Sequence, residues 1–432
     1  MPLPEVVIVG AARTPIGRYG GSLRSIHPAE LGATAARAAI ERAEITPDRI
    51  QEVLFGHARQ AGSGPNPARQ VGRRAGVPDT VPAQTINKAC ASGMQAIASG
   101  AQAIMLGEAD TVLAGGIESM SRMPYLIESE EARWGHRMGN FTLVDAMYRD
   151  GFTCSVCGMI MGETAEVLAR EYGITREQSD AYALESQRRA ERAIAEGKFR
   201  DEIAPVPLSG GAGLQTGRDA GSKEPAYIRP GSSAFAEATA NRKDPAYLMV
   251  DEHPRAGTTI ESLARLPLVF GNVEGQPGII TAGSSSGITD GGAAVVLMNA
   301  DKAKVDRVKP LARIVSWASA GVDPRVMGIG PVPAVKKLLD RTGLALDDFD
   351  LVELNEAFAA QVLAVLRDLP IPLDKVNVNG GAIALGHPIG ATGTRIVVTL
   401  LYEMMRRRAR LGLATLCVSG GMGMALAIER VS

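Results

Sequence analysis

The chain has 432 residues, enough for two or three domains around a large buried core, and 45% apolar, 22% charged and 4% aromatic residues fit a soluble α/β protein. Its formal net charge of −1 gives no electrostatic reason to bind nucleic acid or an anionic membrane as a main task. Four cysteines are too few for a disulfide framework at this length, which points to a reducing, cytoplasmic home.

In chain order, "EVVIVGAA" (5–12) predicts a buried first strand, with no basic leader or cleavage site before it. "AELGATAARAAIERA" (29–43) predicts a helix, "IQEVLFGHA" (50–58) a strand, Ala91 to Leu106 a helix and "TVLAGG" (111–116) a strand. No run of 18 apolar residues occurs, so no membrane span is expected. Residues 122–262 break the rhythm: two helices are expected at 163–173 and 176–198, then a Gly-, Ser- and Pro-rich stretch at 209–250. Such an excursion suits a cover over a cleft.

The C-terminal part repeats the opening design. "LARIVSWASAG" (311–321) predicts a strand, "PVPAVKKLLDRTG" (331–343) a helix and "LVELNEAFAAQVLAVL" (351–366) a strand running into a helix. A helix through 394–409 and the strand "ATLCVSGG" (414–421) follow, matching the helix and "TVLAGG" of the first half. Two similar halves, each a sheet with helices on its faces, imply a cleft at their junction.

Three side chains in this plan carry chemistry. Cys90 in "NKACASGMQAI" stands at a helix start among small neighbours, where free N–H groups should lower a thiol's pKa; a buried cysteine acting as a small hydrophobe is the bland alternative. His387 lies in "NGGAIALGHPIGATG", whose glycines permit close approach, and an imidazole there suits a general base or a purely structural turn. Cys417 in "CVSGGMG" ends a predicted strand, a place equally fit for a catalytic group or a core cysteine. Asn355 in "NEAFAAQ" could cap the following helix or hold a water.

Other patterns say less. "GSSSG" (283–287) matches a hydrolase nucleophile elbow but should continue as loop and strand, not helix. "CSVC" (154–157) has no second cysteine pair for zinc or redox work and reads as incidental. "GGAGLQTG" (210–217) is a weak glycine match in a polar loop, and "RRRAR" (406–410) reads as a solvated helix end.

Together these stretches resemble the thiolase family, the thioester-dependent Claisen condensing and cleaving enzymes. The resemblance spans almost the whole chain, including "ARTPIGRYGGSL", "NKACASGMQAI", "GGIESMSRMPY", "MGETAE", "DEHPRAGTTIESLARL", "TAGSSSGITDGGAAV", "NEAFAAQ", "NGGAIALGHPIGATG" and "CVSGGMG". It implies an α/β fold of five α-β-α-β-α layers, built from two βαβαβαββ halves with an inserted loop domain. The halves would be 1–121 with about 263–300, and 301–432, with 122–262 covering them.

The resemblance also implies roles. Cys90 would be the acylated nucleophile, His387 the base that takes its proton, and Cys417 the acid/base at the acetyl-CoA α-carbon. Asn355 would fix a water in one oxyanion hole. The backbone N–H groups of Cys90 and Ser419 would form a second hole, such donors contributing roughly 3–4 kcal/mol each. Ser419 stands where the family often has glycine, a tolerable change because the donor is backbone. Arg255 and Ser262 would meet the nucleotide end of coenzyme A, Ser286 and Phe358 its pantetheine, and Met161 the acyl pocket. Ile160 stands where some acetoacetyl-specific relatives carry histidine.

Coenzyme A is thus expected as substrate, with no permanent cofactor and no metal, and the assembly as a homodimer or homotetramer. The reaction implied is 3-ketoacyl-CoA plus CoA exchanging with acyl-CoA plus acetyl-CoA, with acetoacetyl-CoA favoured and medium or long chains of fatty-acid β-oxidation as the alternative. Ketosynthases share the fold but condense by decarboxylation and are not expected to carry Cys417 in this motif. A non-catalytic acyl-CoA binder is the rival of a different class.

Overall fold

The computed structural model describes residues 3–127, 129–208 and 246–431, so the 210–217 glycine match and most of the 209–250 stretch lie outside the described residues. The main strands are β1 (Val6–Arg13), β2 (Glu52–His57), β3 (Ala83–Ile86), β4 (Thr111–Ser119), β5 (Thr289–Asn299), β6 (Ala312–Gly321), β7 (Leu351–Leu354), β8 (Leu411–Val418) and β9 (Met422–Arg430). The helices that matter here are α1 (Pro28–Arg42), α2 (Pro67–Arg74), α3 (Ser92–Met105), α4 (Met161–Glu171), α5 (Arg176–Ala195), α6 (Ile260–Ala264), α7 (Pro331–Thr342), α8 (Ala359–Asp368), α9 (Ala382–Leu385) and α10 (Ile389–Arg407). The last begins five residues earlier than the sequence suggests, because Pro388 starts it and Ile389 to Gly393 continue it.

Hydrogen bonding links the strands in the order β7-β8-β9-β6-β1-β5-β4-β2-β3. The two halves match along this path. In the first, β3 and β4 flank β2 in parallel, while β5 runs antiparallel to β4 and to β1. In the second, β7 is parallel to β8, and β9 runs antiparallel to β8 and to β6. A parallel bridge from Val352 to Val376 marks the place of the missing counterpart of β3. Only Val7 and Ile8 of β1 pair with Arg313 and Ala312 of β6 to join the halves.

The alternation of side chains along each strand sorts the core into layers. Val112 and Ala114 of β4, Val295 and Leu297 of β5, and Ala414 and Leu416 of β8 pack in one central cluster with α3 and α10. The intervening Leu113, Ala294 and Val296 face α1 and α2 instead. Likewise Leu411 and Leu413 face α7 and α8. Strands buried on both faces between three helical layers give α-β-α-β-α, the expected five-layer α/β architecture.

Small residues let the central helices touch. A side chain on Gly93 would come within 2.6 Å of the Thr394 hydroxyl and 2.9 Å of the Gly390 carbonyl oxygen. This close approach seats the start of α3 beside the start of α10. Those two starts follow Cys90 and His387.

The covering segment is fastened to β1. Arg13 is fully buried and donates from Nε to Glu202 (2.6 Å) and from Nη1 and Nη2 to the two oxygens of Asp251 (2.7 and 3.0 Å). Beside it, Val206 and Pro207 pair antiparallel with Leu248 and Tyr247.

Candidate active site

Cys90 sits on a clamped turn between β3 and α3. Ala89 has φ +45°, a left-handed conformation that costs a non-glycine residue roughly 1–2 kcal/mol. Three bonds hold it there: the Ala89 N–H donates to Asn87 Oδ1 (3.0 Å), the Lys88 N–H to Ser92 Oγ (2.8 Å), and Ser92 Oγ to the Ala89 carbonyl (2.7 Å). Nothing in the apparent helix pattern of this stretch announced the strained residue. Its effect is to present the half-buried Cys90 at the tip of the turn.

The expected lowering of the Cys90 thiol by the helix start is not found. Burial, the largest influence, keeps it above the ordinary 9.0, although the Ser419 N–H, the Arg59 charge and its own N–H draw it down. Helix α3 begins at Ser92, two residues on, and the Glu118 carboxylate works against the thiolate. A thiol held protonated needs a base beside it.

His387 is suited to that task. It is buried behind Gly386, whose φ of +103° turns the chain out of α9. Burial, then the charges of Arg395 and Arg59, push the imidazole down to about 3, so it is neutral at physiological pH. Its Nδ1 lies 2.6 Å from Thr392 Oγ1, which itself lies 3.0 Å from the Pro388 carbonyl. The single hydroxyl proton goes to that carbonyl, so Thr392 accepts from Nδ1–H and the lone pair is left on Nε2.

Cys417 ends β8 opposite Gly423 and is buried with Met327 and Ala357, with Met161 and Phe358 packed against it. Its thiol is raised far above the usual range by burial and then by the charge of Cys90, so the two sulfurs are within electrostatic reach. The Ser419 N–H points at Cys90. Asn355 does not cap α8, whose first flanking residue is Phe358. Its amide is buried without a hydrogen-bond partner among the described residues, as a group meant for water or a ligand would be. The adjacent Glu356 is structural: it accepts from Tyr182 (2.9 Å), Ser186 (2.7 Å) and Asn377 (2.9 Å).

Arg255 and Ser262 line one cavity of about 160 Å³ with Gln187, His253 and Thr258. Ser262 also closes the N-terminus of α6, donating to the Thr259 carbonyl at 2.7 Å. Ser286 donates its N–H to the Ala357 carbonyl (3.0 Å), next to the bridge between Ser285 and Phe358, and neither Ser286 nor Phe358 lines this cavity. A larger cavity of about 530 Å³ lies elsewhere, between α5 and α8, and holds none of the thiols. The "GSSSG" stretch leads into β5 and not a helix, and Arg406 and Arg407 pair with Glu403 at a solvated helix end. Among the described residues no cluster of side chains could hold a metal, and no helix is long and apolar enough to cross a membrane.

Three residues escaped sequence reasoning. Thr392 carried a signal, a hydroxyl five residues after a histidine and on the first turn of a helix. Arg59 and Glu118 carried none. The buried Arg59 donates from Nη2 to the Gly151 carbonyl (2.7 Å), and Glu118 accepts the N–H of Gly390 (2.9 Å) beneath the histidine turn.

A strained turn at Ala89 and a glycine turn at Gly386, which bring a thiol and a neutral imidazole to the junction of duplicated α/β halves, define a condensing-enzyme fold. The model of the thiolase N-terminal domain matches residues 6–230 and 235–301, and that of the thiolase C-terminal domain matches 308–430. The chain belongs to the thiolase family and is an acyltransferase. It is 48% identical over 428 residues to the acetyl-CoA acetyltransferase of Pseudomonas aeruginosa, covering 99% of this chain and 100% of that one. The acetyl-CoA acetyltransferase of Bacillus anthracis superposes with a TM-score of 0.88 at 42% identity, covering 99% of each chain. Human mitochondrial 3-ketoacyl-CoA thiolase in complex with CoA gives 0.87 at 39% identity, covering 99% of this chain and 98% of that one.

Proposed function

We propose that the chain is an acetyl-CoA C-acetyltransferase, interconverting two acetyl-CoA with acetoacetyl-CoA and CoA. In the cleaving direction Cys90 attacks the 3-keto carbon as His387 Nε2 takes its proton. Cleavage of the C–C bond leaves an acyl group on Cys90, and Cys417 protonates the departing acetyl-CoA carbanion. The Cys417 thiolate then takes the proton of the CoA thiol, the CoA sulfur takes the acyl group, and the freed Cys90 thiolate recovers its proton from His387. The Cys90 and Ser419 N–H groups hold one oxyanion, and a water on Asn355 with His387 holds the other. Arg255 and Ser262 receive the nucleotide of CoA, Ser286 and Phe358 the pantetheine, and Met161 the acyl group.

The observation that carries this reading is the close approach of the helices that follow Cys90 and His387, where Gly93 meets the Thr394 hydroxyl and the Gly390 carbonyl, with a buried, neutral imidazole on one turn and a thiol on the other. Preference for short chains is supported by the 48% identity to an acetyl-CoA acetyltransferase. Met120, Met123, Met147 and Phe152 pack around Cys90, and Met161, Phe358 and Met327 around Cys417. The likeness to a 3-ketoacyl-CoA thiolase supports a second reading, a medium- or long-chain thiolase of fatty-acid metabolism. Steady-state thiolysis across 3-ketoacyl-CoA chain lengths decides between them, and activity retained by Cys90→Ala would remove the mechanism.

The reading includes a cytoplasmic homotetramer or homodimer with no permanent cofactor. Self-association is supported by an apolar run on the covering segment, where Trp134 is 82% and Met138 90% exposed beside Tyr125, Phe141 and Leu143. Its units would be 1–121 with about 263–300, the cover 122–262, and 301–432.

A further inference from the structure

The thiolase reaction leaves the other two cysteines unused. Cys154 and Cys157 occupy a tight turn on the covering segment, closed by the Gly158 N–H donating to the Cys154 carbonyl (2.8 Å) and flanked by the bridge between Thr153 and Ile160. That hydrogen bond folds Cys154 and Cys157 onto one closed turn, three residues apart, a spacing whose Cα separation a disulfide can span. Cys154 is buried, Cys157 is half-buried, and Val156 between them is 69% exposed. The Cys154 sulfur accepts from the N–H groups of Cys157 and Val156, and from that of Gly420, which follows Ser419 in the oxyanion turn. Immediately after the bridge residue Ile160 the chain enters α4 at Met161, which packs on Cys417.

We propose that Cys154 and Cys157 form a dithiol–disulfide site, oxidised by hydrogen peroxide, whose state is transmitted to the Ser419–Gly420 turn. This replaces the incidental pair expected from the sequence. Burial alone would raise the Cys154 thiol, but the surrounding N–H groups and the Cys157 thiol bring it below the ordinary 9.0, while burial and its partner raise Cys157. Cys154, the sulfur that faces the Gly420 N–H as well as those of its own turn, is taken as the attacking sulfur. Its thiolate takes one oxygen of the peroxide, giving a sulfenic acid and, after protonation, one water. The Cys157 thiol displaces the sulfenic oxygen as a second water and closes the S–S bond. Two thiols lose two electrons and two protons, and one peroxide becomes two waters. The Cys154 sulfur then no longer offers a thiolate to the Gly420 N–H.

The test exposes the whole protein to hydrogen peroxide with acetyl-CoA present to keep Cys90 acylated, then blocks free thiols with N-ethylmaleimide and maps unreduced peptides. The peptide holding Cys154 and Cys157 should be unlabelled and lighter by two hydrogens, with Cys417 labelled after denaturation. Thiolase activity should fall several-fold and return with dithiothreitol, whereas Cys157→Ser shows no dithiothreitol-reversible loss. Both cysteines labelled after peroxide, or Cys154 joined to Cys90 or Cys417, overturns the site. A mapped disulfide with unchanged activity overturns the transmission to the turn. The mapping does not depend on the proposed substrate.

Discussion

His387 Nδ1 donates to a Thr392 hydroxyl whose own proton is committed to the Pro388 carbonyl, so one threonine decides which ring nitrogen can act as a base. Thr392→Val leaves both tautomers open and should lower kcat about 10–100-fold, less than the roughly 10²–10⁴-fold that a whole general base supplies. Thr392→Ser keeps the hydroxyl and should restore most of the rate. Equal losses in the two variants, measured by steady-state thiolysis, would assign Thr392 to packing alone.

The reactivity of Cys90 should follow its own ionisation. Because burial keeps this thiol above the ordinary 9.0 and His387 is already neutral, labelling by iodoacetamide should climb with pH and continue to climb beyond pH 9. No step is expected near pH 6.5, the ordinary histidine value. Arg59→Met removes a positive charge that favours the thiolate, and should slow labelling at pH 7. Faster labelling in that variant would contradict the assignment.

Acid stability should carry the mark of His387. Its folded value of about 3 lies below the ordinary 6.5, so between those limits the unfolded chain binds a proton that the folded one refuses. Stability is therefore unaffected by this group above pH 6.5 and falls as pH drops toward 3, by up to about 1.4 kcal/mol per pH unit. Urea midpoints of His387→Gln should depend less steeply on pH than those of the wild type between pH 6.5 and 5. Parallel curves would show that another group governs the acid limb.

The contact between the central helices should be intolerant of bulk. A methyl at Gly93 meets the Thr394 hydroxyl and the Gly390 carbonyl, and Gly93→Ala should cost about 1–3 kcal/mol by overpacking. Because the strain falls between the turns of Cys90 and His387, the proposed nucleophile and base, kcat should fall along with the denaturant midpoint. An unchanged midpoint would mean that the helices separate freely.

Much of this was legible along the chain. Period-two runs such as "TVLAGG" and "ATLCVSGG" mark strands whose alternate side chains enter different layers, and local pattern suffices to see that. Cys90, His387 and Cys417 stood out as reactive types beside glycines. What stayed hidden is tertiary. The upward push on Cys90 comes from burial and from the distant Glu118 carboxylate, whereas the helix start that argued for the opposite shift is local. The left-handed Ala89 was hidden because alanine favours helix, and only the Asn87 and Ser92 side chains hold it otherwise. Arg59 looks like a surface cation until the covering segment closes over it.

The clamp at Arg13 has a practical corollary. Glu202 and Asp251 grip one guanidinium, and Val206–Pro207 and Tyr247–Leu248 run side by side, so the polypeptide departs and returns through a single gate. Whatever length is spliced between those two strands, the geometry upstream and downstream is already pinned. An epitope tag or a fluorescent reporter grafted there can be carried while turnover continues, which makes this the natural handle for following the enzyme in a cell.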